Sequence, residues 1–220
     1  MDAGLNSHRS LRAIFVLTVL FFFFAIGLGL VQSLSSYHRL PPINSHYMPE
    51  ITALIENEDY GKVIPQLELA SFIDPADTEK NKQLLTKVCS VAAQSLIEAG
   101  RFEDAIVQYD KAYAANPNST DVQNNLAWIL ATCPNAALRD GTRAVKLAKQ
   151  AAQNTNYTDA SMLDTLAAAY AEAGDFANAV RTQRDAIRLT PANYRSGLQQ
   201  RLDLYLRDKP YHSRQSSDGS

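Results

Sequence analysis

The sequence predicts an all-α protein, a stack of helix–turn–helix pairs behind a single N-terminal membrane-spanning helix. Three observations predict it. A phrase occurs twice, Glu98-Ala-Gly-Arg-Phe-Glu-Asp-Ala-Ile106 and Glu172-Ala-Gly-Asp-Phe-Ala-Asn-Ala-Val180, each time between two Ala-rich stretches. In both copies a proline follows the last alanine of the phrase by twelve residues, Pro117 and Pro191. Such self-similarity marks a repeat architecture. Second, from about Asn44 to Leu206 apolar residues recur at spacings of three and four, with no convincing strand alternation. Third, Ala13 to Val31 is a run of nineteen residues without a charge.

That run dictates the N-terminal organisation. At about 1.5 Å per residue it matches the ~30 Å hydrocarbon core of a bilayer. A helix there satisfies its own backbone polar groups. The sequence therefore assigns 1–12 to a cytoplasmic N-terminus and 13–34 to a retained signal anchor. The competing reading is a cleaved signal peptide, whose apolar region runs about 7–15 residues. The run here is longer, and the small-x-small triplets after it, Gly27-Leu28-Gly29 and Ser33-Leu34-Ser35, are poor cleavage sites. Arg9 and Arg12 precede the run, opposed only by Asp2, whereas Arg39 is the only charge between it and Glu50. Excess arginine before the run favours a cytoplasmic N-terminus, with the remainder on the extracytoplasmic side. Residues 35–43, with Pro41-Pro42, read as a stiff stalk.

The helical region divides into units aligned on small residues. In 86–119 small or apolar residues fall at Ala93, Leu96, Ala105, Tyr109 and Ala112, with Pro117 closing the unit. In 160–193 the equivalents are Ala167, Tyr170, Ala179, Gln183 and Ala186, with Pro191. Alanines at helix crossings let backbones approach closely, and the larger side chains fill what is left. Proline lacks an N–H and ends the second helix. Between these units, 120–158 carries Leu126, Ala127 and Leu130 on a first helix, and Ala144, Ala148 and Ala151 on a second. A capping box at Thr120-Asp121-Val122-Gln123 opens its first helix. Its turn, Thr132 to Gly141, is about five residues too long for a 34-residue unit.

This pattern resembles the tetratricopeptide repeat, a helix–turn–helix of 34 residues. The three units lie within 78–193. Gln183 departs from the aromatic or aliphatic residue usual at its position. The run Leu126-Ala-Trp-Ile-Leu-Ala-Thr-Cys-Pro134 followed by Arg139-Asp-Gly141 is similar to a variant seen in bacterial tetratricopeptide proteins, as is the ending Arg201 to Tyr211. A degenerate fourth unit is allowed over 44–77, with Asp59-Tyr60 as its turn, Val63, Leu67 and Ala70 on its second helix and Ile73-Asp74-Pro75 as its stop. Its first helix needs Ile51 and Leu54. Pro65 then sits in the first turns, where proline is best tolerated. Residues 194–206 supply a capping helix with Leu198, Leu202 and Tyr205 on one face, since a stack otherwise leaves an apolar end in water. Residues 207–220, charged and Ser-rich, read as a disordered tail.

The resemblance implies a solenoid whose first helices line a concave groove for a protein or peptide partner. The positions carried over are Lys87, Ser90 and Gln94, then Asp121, Asn124, Asn125 and Trp128, then Ser161, Asp164 and Ala168. Trp128, the only tryptophan, is either an anchor for a partner side chain or local core beneath the 132–141 turn. Some tetratricopeptide domains clamp a terminal carboxylate with Lys, Asn, Asn, Lys and Arg. Here those positions hold Ser90, Gln94, Asn125, Ser161 and Thr165, so no cation remains to pair with a carboxylate.

Composition narrows the function further. A net charge of −2 gives no draw toward nucleic acid. The four histidines, at 8, 38, 46 and 212, lie outside the clear units, leaving no metal-ligand cluster, and no cofactor motif is present. Cys89 and Cys133 read either as separate thiols, one of them buried, or as a disulfide. Asn118-Ser-Thr and Asn156-Tyr-Thr match glycosylation acceptors, which matter only in a eukaryotic secretory pathway. No Gly-rich phosphate loop or Gly-x-Ser-x-Gly occurs, and Glu103 and Asp104 suit a helix start. The expectation is a non-enzymatic scaffold in a bacterial inner membrane, its repeats on the extracytoplasmic side. The alternatives are an envelope-assembly or export accessory and a cleaved soluble envelope protein.

Overall fold

A computed structural model of the chain describes residues 60–73 and 78–214, all within the unit Tyr47–Ser220. The anchor expected over 13–34, the stalk over 35–43 and the first helix of the degenerate unit lie outside the described residues. Among the described residues no helix is long and apolar enough to cross a membrane. The elements are α1 (Tyr60–Ile73), α2 (Thr78–Glu98), α3 (Phe102–Ala115), α4 (Thr120–Thr132), α5 (Gly141–Asn154), α6 (Ala160–Glu172), α7 (Phe176–Leu189) and α8 (Ser196–Tyr205). Short 3-10 turns lie at Ala136–Leu138 and Ala192–Tyr194. Each helix packs against its predecessor; α6 also packs against α4, and α8 against α6.

The repeated phrase is a helix-ending device. A helix leaves its last carbonyls without intrahelical donors. At the end of α2, Gly100 takes φ +73°, and the Arg101 amide reaches the Leu96 carbonyl at 2.8 Å. At the end of α6, Gly174 takes φ +79°, and the Asp175 amide reaches the Tyr170 carbonyl at 2.8 Å. This is a Schellman turn, and glycine meets its left-handed residue at no steric cost. The α4–α5 junction differs in sequence but keeps the closing bond: the Asp140 amide reaches the Leu130 carbonyl at 2.9 Å. Leu96, Leu130 and Tyr170 occupy equivalent positions, three residues after Ala93, Ala127 and Ala167. The extra residues of the middle unit are therefore looped out between two unchanged ends.

The looped-out segment is held by its Arg-Asp-Gly ending. Asp140 caps α5 by accepting the Arg143 amide at 2.9 Å. Arg139 donates to the Cys133 carbonyl at 2.9 Å and to Glu172 Oε1 on α6 at 2.9 Å. Gly141 lies where α5 begins against the end of α6: an added Cβ would sit 2.6 Å from the Ala173 nitrogen and 2.8 Å from the Glu172 carbonyl carbon. Any side chain there would strike backbone.

The core follows the small residues. Ala93, Ala105, Ala112, Ala127, Ala144, Ala151, Ala167, Ala179 and Ala186 are all fully buried. Tyr109 is buried and Tyr170 half-buried, while Pro117 and Pro191 are exposed just past the ends of α3 and α7. On α1, Val63, Ile64 and Leu67 are buried, and Lys111 of α3 pairs with Glu68 of α1 at 2.8 Å. Helix α2 starts at Thr78, eight residues before the unit read from 86, and packs against α1.

Three expectations are corrected. The cap of α4 is Ser119, one residue earlier than Thr120, and Gln123 donates to the Pro117 carbonyl at 2.7 Å instead of reaching back to the cap. Cys89 and Cys133 are free thiols and both are buried, where the sequence suggested one. Residues 207–213, part of the 207–220 segment expected to be a disordered tail, lie in contact with α4, α6 and α8.

Candidate partner-binding face

The ten groove candidates fall on α2, α4 and α6, the first helices of the three units. Lys87, Gln94, Asp121, Asn125 and Ser161 are exposed, and Ser90 is half-buried with its hydroxyl donating to the Thr86 carbonyl at 2.7 Å. Asn124 and Ala168 are buried. Trp128 and Asp164 are partly buried and have partners within the chain. Asn125 also takes a side-chain hydrogen bond with Tyr109 of α3, which offsets part of the rise that burial imposes on the Tyr109 phenol.

Asp164 and Trp128 belong to one polar cluster. The Arg201 guanidinium, from α8, grips Asp164 with two bonds, Nε to Oδ1 at 2.8 Å and a terminal nitrogen to Oδ2 at 2.6 Å. Only 16% and 13% of the two side chains are exposed. Such a planar fork is the strong form of an ion pair. The guanidinium carbon lies 5.5 Å from the centroid of the Trp128 ring and 5.4 Å from that of Tyr211, and the two rings are 6.0 Å apart at 40°. These distances suit cation–π attraction.

Gln183 explains its own departure from the repeat pattern. It is fully buried; its amide donates to Asp164 Oδ1 at 2.7 Å and to the Leu198 carbonyl at 3.1 Å. An aliphatic residue would leave the Leu198 carbonyl without that donor. Gln183 therefore ties α6, α7 and α8 together. Tyr205 is buried beside this cluster, and burial with nearby Asp164 raises its phenol.

The C-terminal segment crosses the same face. Asp208 takes φ +53°, and the Lys209 amide reaches the Leu204 carbonyl at 3.1 Å, a Schellman turn that redirects the chain at the end of α8. Tyr211 then meets Trp128. His212 Nε2 lies 2.8 Å from Glu172 Oε2, and the Ser213 amide donates to the Thr132 carbonyl at 2.8 Å. Sequence reasoning assigned no site role to Arg201, Gln183, Glu172 or Tyr211. The available signals were the departure of Gln183 from the repeat pattern and an aromatic residue after Pro210 in an otherwise polar tail.

Two clefts lie elsewhere, and no groove candidate lines either. One of about 520 Å³ is lined by α1, α2 and α3; one of about 590 Å³ lies beside α6, α7 and Tyr157. Among the described residues no group of three or more His, Cys, Asp or Glu could hold a metal ion.

The fold is thus a succession of helix pairs with small-residue crossings, the design of helical repeat proteins. Residues 160–193, the α6–α7 unit, match the family model described as tetratricopeptide repeat. No curated protein matches the sequence. Similar solved structures include "MamA 41-end from Desulfovibrio magneticus RS-1" and "MamA RS-1 ArsTM double mutant", each with 12% identity and a TM-score of 0.48. Another is described as "Crystal structure of MamA protein", with 16% identity and a TM-score of 0.46. Each match covers 74% of this chain and 88% of the other.

Proposed function

We propose that this chain is a membrane-anchored, non-catalytic scaffold that holds a protein partner on the first-helix face of its repeats. The supporting observation is the row of exposed polar residues on consecutive first helices, Lys87 and Gln94 on α2, Asp121 and Asn125 on α4, and Ser161 on α6. Stacked helix pairs offer a surface in place of a reaction pocket. The uncharged run from Ala13 to Val31 supports an anchor over 13–34, and Arg9 with Arg12 supports repeats on the extracytoplasmic side of a bacterial inner membrane. An anchor raises the local concentration of a partner in the same membrane, so a weak face can suffice.

The test is crosslinked capture from membranes with the wild-type chain and a charge-swapped variant, Lys87→Glu with Asp121→Lys. Both residues are exposed, so circular dichroism should be unchanged. A single stoichiometric partner lost in the variant is the expected result. An unchanged partner set refutes the placement, and many unrelated clients favour the export-accessory reading. The anchor is tested by alkaline extraction and intact mass: a soluble chain lacking the apolar run refutes it. Protease added to intact spheroplasts should digest the repeats.

A further inference from the structure

The C-terminal segment sits on the face assigned to the partner, and it is held as a ligand is held. Tyr205, in α8, is fully buried and belongs to the core. Tyr211, six residues on, is only half-buried, and 34% of the His212 side chain is exposed. The segment touches three surfaces through three kinds of contact. An aromatic ring meets Trp128 and Arg201. A ring nitrogen meets Glu172 Oε2. A backbone amide meets the Thr132 carbonyl, while the Ser213 hydroxyl meets that of Thr132 at 3.2 Å.

The receiving groups stand without the segment. Asp164 holds Arg201 and is itself held by Gln183, and Arg139 holds Glu172 through its other oxygen. Thr132 donates its hydroxyl to the Trp128 carbonyl at 2.9 Å within α4. Each half of the contact can therefore separate with its own fixings intact.

We infer that residues 208–214 are an exchangeable internal ligand. The site formed by Trp128, Arg201, Glu172 and Thr132 takes an extended partner peptide that presents an aromatic side chain followed directly by a basic or hydrogen-bond-donating one. This rests on the scaffold reading above and specifies its partner. A tethered segment has an effective concentration in the millimolar range for so short a linker. A free peptide must overcome that competition, so the site is selective for partners that are concentrated at the membrane or that match the motif closely.

The test uses the full chain and its single tryptophan. The probe is a synthetic peptide of residues 207–214, with a control peptide carrying Ala at the position of Tyr211. The protein is the wild type beside Tyr211→Ala with His212→Ala, and circular dichroism confirms that the variant is folded. Trp128 emission in the variant should shift to the red. The peptide should reverse that shift with saturation, at least tenfold more tightly than any response of the wild type, and the control peptide should not. Unaltered emission in the folded variant overturns the inference, as does a peptide that fails to bind the variant or binds both proteins equally. No partner enters this assay, so its failure is separable from that of the capture experiment: a lost partner there with no peptide binding here refutes only the internal ligand.

Discussion

Gly141→Ala isolates the contact that fixes the middle unit against the last one. The added methyl would lie 2.6 Å from the Ala173 nitrogen and 2.9 Å from the Ala173 Cα, where ordinary contact begins near 3.4 Å. The start of α5 would have to withdraw by about 0.8 Å, because backbone on the facing side offers no rotamer to move. That withdrawal pulls on the Asp140 cap and on the 2.9 Å bond from Arg139 to Glu172. Overpacking of this kind costs about 1–3 kcal/mol. Alanine's better helix propensity returns at most ~1 kcal/mol. A net loss of about 1–2 kcal/mol lowers Tm by roughly 2–8 °C for a domain of this size. The control is the same chemical change at Gly61, which is exposed near the start of α1 with nothing within 4 Å of an added Cβ. It should leave Tm unchanged or slightly raised. Thermal melts at 222 nm compare the two. A Gly141→Ala protein that melts with or above the wild type would refute the close approach of α5 to the end of α6, and with it the account of the Arg-Asp-Gly sequence.

Four further outcomes are expected. Ala179→Leu, at a fully buried crossing beside Ala167, Ala171 and Tyr205, should cost roughly 1–3 kcal/mol in urea unfolding, and an unchanged midpoint would refute that packing. Asp164→Ala strands Arg201 and one bond of Gln183, so equilibrium unfolding should show a loss of about 3–5 kcal/mol. Arg101 starts α3 with φ −88° and ψ 63°, close to the −88° and 69° of Asp175, yet makes no side-chain cap. Arg101→Asn should therefore stabilise by about 0.5–1 kcal/mol, and a lower Tm would contradict the shared geometry. Burial pushes the Cys89 thiol up to about 12 and raises that of Cys133. A raised thiol stays protonated and unreactive, so at pH 8 a disulfide reagent should label neither cysteine until denaturant is added; prompt labelling of the native chain would contradict it.

Much of this architecture was legible because it is local. A Glu-Ala-Gly phrase specifies a left-handed glycine, and so a helix end, within six residues. Buried alanines at Ala93, Ala127 and Ala167 recur because each unit repeats the same crossing. Even the insertion could be measured, since its extra residues lie between two fixed ends. What escaped detection is long-range. Nothing near Arg139 or Gly141 indicates that their counterparts are Glu172 and Ala173. Gln183 departs from the repeat pattern for a reason that is visible only once Asp164 and Leu198 are beside it. The composition of 207–220 predicts a disordered tail, and composition cannot report that a single tyrosine has an aromatic surface to meet.

These long-range ties sort into two kinds by the oxygen atoms they use. Glu172 gives Oε1 to Arg139 and Oε2 to His212. The first bond joins side chains that are each 15% exposed and fixes the insertion to α6; the second reaches a side chain more than twice as exposed. Breaking the buried bond would strand a charge, at a cost of several kcal/mol. Breaking the outer one hands an oxygen to water. The same division holds at Arg201, whose two bonds to Asp164 are buried while its face toward Tyr211 is shared with a half-exposed ring. Removing the tail therefore exposes groups that remain fixed in place. A site that survives the departure of its occupant is what the proposed exchange requires: the inner bonds keep the fold while the outer ones are free to open.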